Sequence, residues 1–240
     1  MMDTSTKAVV LKSIDYGEND KIILLYSLEY GKISVRAKGI KKAKAKLKFA
    51  QEPFCFGTYH LAGNEGHFVL KTCDQLESFY PLREDIVRFY AGCVVLECLA
   101  QLETDGQPNS QLFVGTLKTL QCLTECEDVY VVVLHFLFNY LRLAGYRLDF
   151  SGCNVCGRWD KLYLDAEKGG VSCADCRGEG SVMLSAGVLN LLKLADGMTV
   201  EKMSNVRVPQ SVSKDAIHAL SVYISRILLP LKSVNELIRL

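Results

Sequence analysis

The stretch Lys32-Ile33-Ser34-Val35-Arg36-Ala37-Lys38 decides the fold class of the first third of this chain. Successive side chains of a strand point to opposite faces. Ile33, Val35 and Ala37 therefore share one side, and Lys32, Ser34, Arg36 and Lys38 the other, so one face suits a core and one suits water. Comparable runs flank it. Ala8 to Leu11 and Lys21 to Ser27 are rich in branched apolar residues, Phe54 to Leu61 alternates, and His67 to Phe79 carries Phe68, Leu70 and Leu76. Turn signals separate the runs at Asp15-Tyr16-Gly17-Glu18-Asn19, Tyr30-Gly31 and Ala62-Gly63-Asn64-Glu65-Gly66. About five short strands with no long helix among them predict a small closed barrel of the OB type. An SH3-like barrel is the rival, because strand count alone does not separate the two.

Pro81 marks a change of texture. Ile86, Phe89, Tyr90, Cys93 and Val94 recur at helical spacing, as do Leu112, Val114, Leu117, Leu120 and Leu123 within Ser110 to Glu125. Asp128 can cap a third helix that runs to about Ala144, where Gly145 stops it. Two more helices are expected over Ser185 to Ala195 and Ser211 to Leu229, the last ended by Pro230. The expected class is α+β: an OB-type barrel over residues 1–80, then a helical bundle over 81–240 with a cysteine module inserted at about 150–180. Hydrophobic residues make up 49% and charged residues 23%, so nothing reads as disordered. The polar start, Met1 to Lys7, has no apolar segment after it, which predicts no secretory signal. The most apolar run, Val129 to Phe138, is too short to span a bilayer and contains His135, so a buried helix is expected and no membrane association. A soluble, cytoplasmic protein follows.

The chain has ten cysteines. Four are paired: Cys153-Asn154-Val155-Cys156, then Cys173-Ala174-Asp175-Cys176. Two such turns each present two thiolates to one ion, and together they complete a tetrahedron with metal–sulfur bonds of about 2.3 Å. The pattern predicts one zinc ion held by Cys153, Cys156, Cys173 and Cys176. A catalytic zinc keeps one position open, whereas four thiolates fill all four, so the metal is expected to be structural. The other six, Cys55, Cys73, Cys93, Cys98, Cys122 and Cys126, lie in apolar segments and read as small buried hydrophobes.

The formal net charge is only +1, which excludes a general polyanion binder. Locally the picture differs. Arg36, Lys38, Lys41, Lys42, Lys44, Lys46 and Lys48 place seven cations in thirteen residues with no acid among them. Residues 1–80 carry twelve Lys and Arg against nine Asp and Glu, while the remainder carries 16 against 18. Such a segment can neutralise phosphates and release their counterions, and on an OB-type barrel it marks a nucleic-acid surface. The bland reading is a solvated, mobile hairpin. Phe54, Tyr59 and Tyr80 are aromatics that can stack bases or fill the core. No Walker A loop or HExxH motif is present, and His60, His67, His135 and His218 do not cluster in sequence, so no catalytic constellation stands out. His135, in an apolar helix, reads as a satisfied core residue.

Four pieces stand in order along the chain. Lys7-Ala8-Val9-Val10-Leu11 precedes Tyr16-Gly17-Glu18-Asn19-Asp20, and Arg36-Ala37-Lys38-Gly39-Ile40-Lys41-Lys42 precedes Phe49 and Glu52-Pro53-Phe54. Further on come Leu143-Ala144-Gly145-Tyr146-Arg147-Leu148-Asp149 ahead of the first cysteine pair, and Pro230-Leu231-Lys232-Ser233. Together these pieces resemble the RecO family of bacterial recombination mediators. The resemblance implies an N-terminal OB-fold, a helical domain with a zinc module, and binding of single- and double-stranded DNA with annealing of complementary strands. It implies partnership with RecR, and in some members with the tail of the single-stranded DNA-binding protein, to load RecA at the nucleoid during repair. This chain uses lysines where many members place arginines in the basic loop, and lysine binds phosphate as a point charge without the bidentate fork. The expected function is therefore a DNA-binding, non-enzymatic mediator. The rivals are an RNA-binding protein with an OB-fold and zinc ribbon, and a zinc-dependent enzyme.

Overall fold

A strand with one apolar face must bury it, and five such strands can do so by closing on themselves. A computed structural model describes residues 3–64, 66–102 and 107–240. Met1, Met2 and Glu65 of the expected N-terminal start and third turn lie outside the described residues. β1 (Asp3–Tyr16), β2 (Asp20–Ser27), β3 (Gly31–Ala37), β4 (Phe56–Ala62) and β5 (Phe68–Glu77) form a closed barrel in the order β1-β2-β3-β5-β4. Neighbours run antiparallel except β3 and β5, which are parallel where Val35 meets Phe68 and Arg36 meets Val69. This is a five-stranded barrel of the OB type, and the SH3-like rival is set aside.

β1 is longer than the run Ala8 to Leu11 suggests, at 14 residues. Its first half pairs with β4 and its second half with β2, with the register shifting between Val10 and Lys12. The irregularity bends the strand so that it serves two neighbours. Ala8, Val10, Ile23, Leu25, Val35 and Leu61 fill the interior. Tyr59 lies among them, fully buried, with its hydroxyl donating to the Ala50 carbonyl at 3.1 Å. Phe54 is equally buried. These two rings belong to the core and offer no face to a ligand, while Tyr80 is exposed.

Side-chain caps explain where the helices begin. α1 (Pro81–Glu84) is a single turn, and α2 (Ile86–Ala100) follows Asp85, whose carboxylate accepts the Arg88 N–H. Asn109 accepts the Leu112 N–H at the start of α3 (Ser110–Glu125). Asp128 accepts from Tyr130 and Val131 ahead of α4 (Val129–Leu143), and Ser185 accepts from Val188 ahead of α5 (Ala186–Gly197). Each cap satisfies a donor that the first helical turn leaves unpaired. α6 (Val200–Met203), α7 (Gln210–Ile227) and α8 (Lys232–Arg239) complete the chain. α8 lies beyond the helix end expected at Pro230; Val234 and Leu237, one turn apart, are its buried anchors.

The chain divides into two compact units, residues up to Glu84 with Leu96–Leu120, and Asp85–Val95 with Gln121–Leu240. In the first, Phe113 of α3 meets the rings of Tyr26 and Phe56, each at 6.2 Å between centroids, and Lys32 Nζ donates to the Ala100 and Leu102 carbonyls. In the second, α4 is the central element. Twelve of its 15 residues are buried, and α5, α6 and α7 pack on it. His135 is buried there, with Nε2 2.9 Å from the Met198 carbonyl, and burial pushes its pKa down. Cys55, Cys73, Cys98 and Cys126 are buried free thiols, as small hydrophobes should be, and Cys93 and Cys122 are half-buried. A small sheet, not expected from the sequence, follows α4: β6 (Leu162–Asp165), β7 (Gly170–Cys173) and β8 (Val182–Met183), in the order β7-β6-β8. No helix among the described residues is long and apolar enough to cross a membrane.

Replacing Asp128 by Ala removes the cap of the central helix. Denaturant unfolding should show a loss of about 1 kcal/mol, with the unfolding slope unchanged.

Candidate functional site

The basic segment leaves the barrel at the end of β3. Arg36 is the last outward-facing residue of that strand, and residues 38–47 then run through consecutive turns to a 3-10 turn at Lys48–Gln51. The segment is anchored at several points. Ile40 is buried in the barrel core, Lys41 N–H donates to the Asn19 carbonyl at 3.0 Å, and Ala45 N–H donates to the Lys42 carbonyl at 3.0 Å. The chief anchor is Asp20 on β2. One of its carboxylate oxygens accepts the Gly39 N–H at 2.7 Å, and the other accepts Arg36 Nε at 3.0 Å and Nη2 at 2.7 Å. Gly39 has φ +68, a left-handed conformation that suits glycine, so the chain can turn at this point and aim its N–H at the carboxylate. The Gly39 N–H, and after it Arg36, hold the Asp20 carboxyl below its ordinary range.

The seven cations divide by partner. Arg36 is neutralised by Asp20. Lys41 lies 2.8 Å from Asp15, which also approaches Lys21 at 3.7 Å, and the Lys41 bond lowers the Asp15 pKa. Lys38, Lys42, Lys44, Lys46 and Lys48 are exposed and form no ion pair among the described residues. A cavity of about 400 Å³ opens beneath the segment, with Ile40, Leu47 and Leu70 as its apolar lining and Lys38, Lys46 and Lys71 at its rim.

The four paired cysteines come together in the small sheet. Their sulfurs all lie within 4.8 Å of one another, and Cys156 Sγ is 3.7 Å from Cys173 Sγ. A tetrahedron with bonds of about 2.3 Å has edges near 3.8 Å, so the four thiols fit a metal ion. Backbone hydrogen bonds shape both turns: Gly157 N–H donates to the Cys153 carbonyl at 2.8 Å, and Arg177 N–H to the Cys173 carbonyl at 3.0 Å. Burial opposes ionisation of Cys153, but the N–H groups of Cys173, Cys156 and Val155 outweigh it and bring the thiol down to about 6. Arg158, through its side chain and its N–H, lowers Cys156. Cys176 is pushed up to about 12 by the neighbouring thiols of Cys173 and Cys156. Four thiolates in so small a volume repel one another, and a cation at their centre removes that penalty.

Two aspartates escaped the sequence reading. Asp20 is one. Asp165, at the end of β6, is the other: its buried carboxylate accepts from Gly178 N–H at 2.7 Å, Ser172 Oγ at 3.0 Å and Glu167 N–H at 3.0 Å. It ties the hairpin turn to the segment following the second cysteine pair. Asp165-Ala166-Glu167-Lys168-Gly169 carries the mark of an aspartate-led turn, which is the signal that locates it. Arg158 crosses between the cysteine turns to Asp175 at 2.6 Å.

The Asp20→Asn variant loses the charge that holds Arg36 and weakens the bond to Gly39. Amide exchange at Gly39 should accelerate at neutral pH while the barrel strands stay protected. Because the folded Asp20 pKa lies below its ordinary 3.8, the wild-type contact is complete above that value. It is lost as pH falls through the lower, folded value, and the difference between the two proteins should vanish there.

The family model described as Recombination protein O N terminal matches residues 1–80, and the one described as Recombination protein O C terminal matches residues 83–234. Relatives carrying the name DNA repair protein RecO align along most of the chain. The one from Clostridium novyi is 29% identical over 92% of this chain and 88% of its own length. That from Caldanaerobacter subterraneus is 27% identical, over 91% and 90%. That from Desulfitobacterium hafniense is 30% identical, over 88% and 80%. With both family models matched in order, and the barrel and cysteine cluster in place, this chain belongs to the RecO family of DNA repair proteins.

Proposed function

We propose that this protein is a DNA-binding mediator of recombinational repair that captures DNA electrostatically on its barrel. The observation that carries this reading is the row of exposed lysines, Lys38, Lys42, Lys44, Lys46 and Lys48, which form no ion pair among the described residues, on an OB-type barrel. Membership of a DNA repair family favours DNA over the RNA-binding alternative. Annealing of complementary strands needs only that two strands be held together with their phosphates partly neutralised, so the reading requires no active site. In this account residues 1–80 bind single- and double-stranded DNA, and residues 81–240 supply surfaces for RecR and for the acidic, apolar tail of the single-stranded DNA-binding protein. The protein would thereby help to load RecA on covered DNA, in the cytoplasm at the nucleoid.

The metal in this reading is one zinc ion with a structural role. A closed set of four thiolates leaves no position for a substrate, and zinc prefers this donor set and geometry. Cys153, Cys156, Cys173 and Cys176 would hold it, locking the two turns together. Elemental analysis of purified protein should find one zinc per chain. Cys173→Ser should lower that content and the solubility of the protein. Zinc-free wild type whose ten thiols all react freely without denaturant would remove the ion from this account.

The lysines are tested by salt. Each phosphate contact on a single strand contributes a slope of about −0.7 to the log–log plot of affinity against salt. Replacing Lys38, Lys42, Lys44 and Lys46 together by Ala should flatten the slope by about 2 to 3 units, and weaken binding to all sequences alike. Lys41→Ala alone should change it little, because Asp15 already neutralises that charge. An unchanged slope in the folded quadruple variant would move the DNA surface elsewhere, with Arg142, Arg147 and Arg158 as the next cations to replace.

A further inference from the structure

Phosphate contacts explain why DNA binds, but they do not explain how an unpaired strand is told from a duplex. Both present phosphates, and only the single strand presents open base faces. The outer surface of the barrel offers one aromatic that fits this role. Tyr16 stands at the end of β1, 50% exposed, paired across the strands with Asp20. Ile14, 56% exposed, lies two residues back on the same side, opposite Ile22, and Ile22 lies opposite Arg36 on β3. The intervening Ile23 and Val35 point into the core, so Ile14, Tyr16, Ile22 and Arg36 share the outer face.

The ring of Tyr16 is positioned, not merely exposed. The Arg36 guanidinium lies over it, 4.8 Å from the ring centroid. Arg36 is itself held by two hydrogen bonds to Asp20, and the same carboxylate anchors Gly39, where the lysine segment begins. One aspartate therefore fixes the guanidinium at Tyr16 and the start of the phosphate-binding turns together. Of the acids near this hairpin, Asp15 and Asp20 are ion-paired, which leaves Glu18 as the one without an ion pair among the described residues. That places the favourable path for a phosphate chain on the β3 side of Tyr16, toward Lys38.

We infer that Tyr16, backed by Arg36, is a base-stacking platform that adds affinity for single-stranded DNA and not for duplex. The inference rests on the DNA-binding reading above and deepens it. A base on an aromatic ring gains stacking that a base already stacked inside a duplex does not seek, and every base has a face, so the contact is tolerant of sequence. The outward-facing surface of strands 2 and 3 is where OB barrels commonly hold oligonucleotides. Among the described residues the other exposed aromatic with a cation over it is Trp159, its ring centroid 4.0 Å from Lys193 Nζ. Its cavity is lined by Asp149 and Asp196 as well as Arg147, so the charge there does not favour a phosphate chain.

The test compares full-length wild type, Tyr16→Leu and Tyr16→Phe by fluorescence anisotropy. The probes are a labelled oligothymidine of about sixteen nucleotides and a duplex of the same length. Tyr16→Leu should lose about tenfold in single-strand affinity and keep its duplex affinity, while Tyr16→Phe, which keeps the ring, binds as wild type. Its salt slope should not change, because stacking releases no counterions. Tyr16 is half exposed, so folding should survive, and circular dichroism of each variant checks this. An oligonucleotide carrying 2-aminopurine gives an independent readout on the wild-type protein: its emission should fall on binding. Wild type that binds single strands, with Tyr16→Leu unchanged, overturns the inference and leaves the DNA-binding reading standing. An equal loss on duplex makes Tyr16 a phosphate-positioning residue and overturns it too, as does quenching of Trp159 emission by DNA in a Tyr16→Leu variant of full affinity. Wild type that binds neither probe overturns both readings.

Discussion

The first unit depends on one strand finding partners on both sides. β1 pairs with β4 over its first half and with β2 over its second, and the irregularity between Val10 and Lys12 lets it turn from one neighbour to the other. Closure leaves no open edge to template aggregation. It also decides what is inside and what is outside. A one-residue slip would exchange the two faces of a strand, so the register that buries Ile23, Leu25 and Val35 is the same register that displays Ile22 and Arg36. The proposed nucleic-acid face is in this sense the outer side of the core.

Two carboxylates then do for the irregular segments what the ladders do for the strands. Asp20 accepts a backbone N–H from the lysine turns and a guanidinium from β3, and Asp165 accepts N–H groups from either side of the second cysteine pair. Burial holds part of each segment, Ile40 in one and Leu162, Leu164 and Val171 in the other, and leaves the turns to be fixed by other means. Charge-assisted hydrogen bonds to backbone N–H groups supply the missing constraint, and they are among the stronger ones available. The result is a basic segment that is held where it leaves the barrel while its lysines stay in water. That arrangement keeps the cations in water without the cost of burying them.

The metal module follows a related logic by other means. Its sheet is too small to hold itself, with strands of four, four and two residues. A metal ion held by the four thiols would join the turn before β6 to the turn at the end of β7. The same crowding that raises Cys176 makes the cluster a poor arrangement of free thiols and a good one for a cation.

Sequence alone determined the elements whose burial repeats. The period of two in Lys32 to Lys38 and the three-to-four spacing in Ser110 to Glu125 predict the apolar sides, and the structure returns a strand and a helix over nearly those residues, although Val114, expected on the apolar side, is exposed and Phe113 is buried instead. The cysteine spacing likewise names four side chains that the fold brings within 4.8 Å, because each pair is local and needs only to meet the other. Tertiary structure decided what depends on a distant partner. It sent Tyr59 and Phe54 into the core and left Tyr16 outside, a choice that barrel closure makes and local composition does not. It extended β1 through polar residues such as Thr4 and Ser5, whose strand character comes from pairing with β4 and not from burial. It also sorted the seven cations. Asp15 and Asp20 lie 26 and 16 residues from the cations they neutralise, so which lysines form no ion pair among the described residues is a property of the folded barrel and is invisible in the charge run itself.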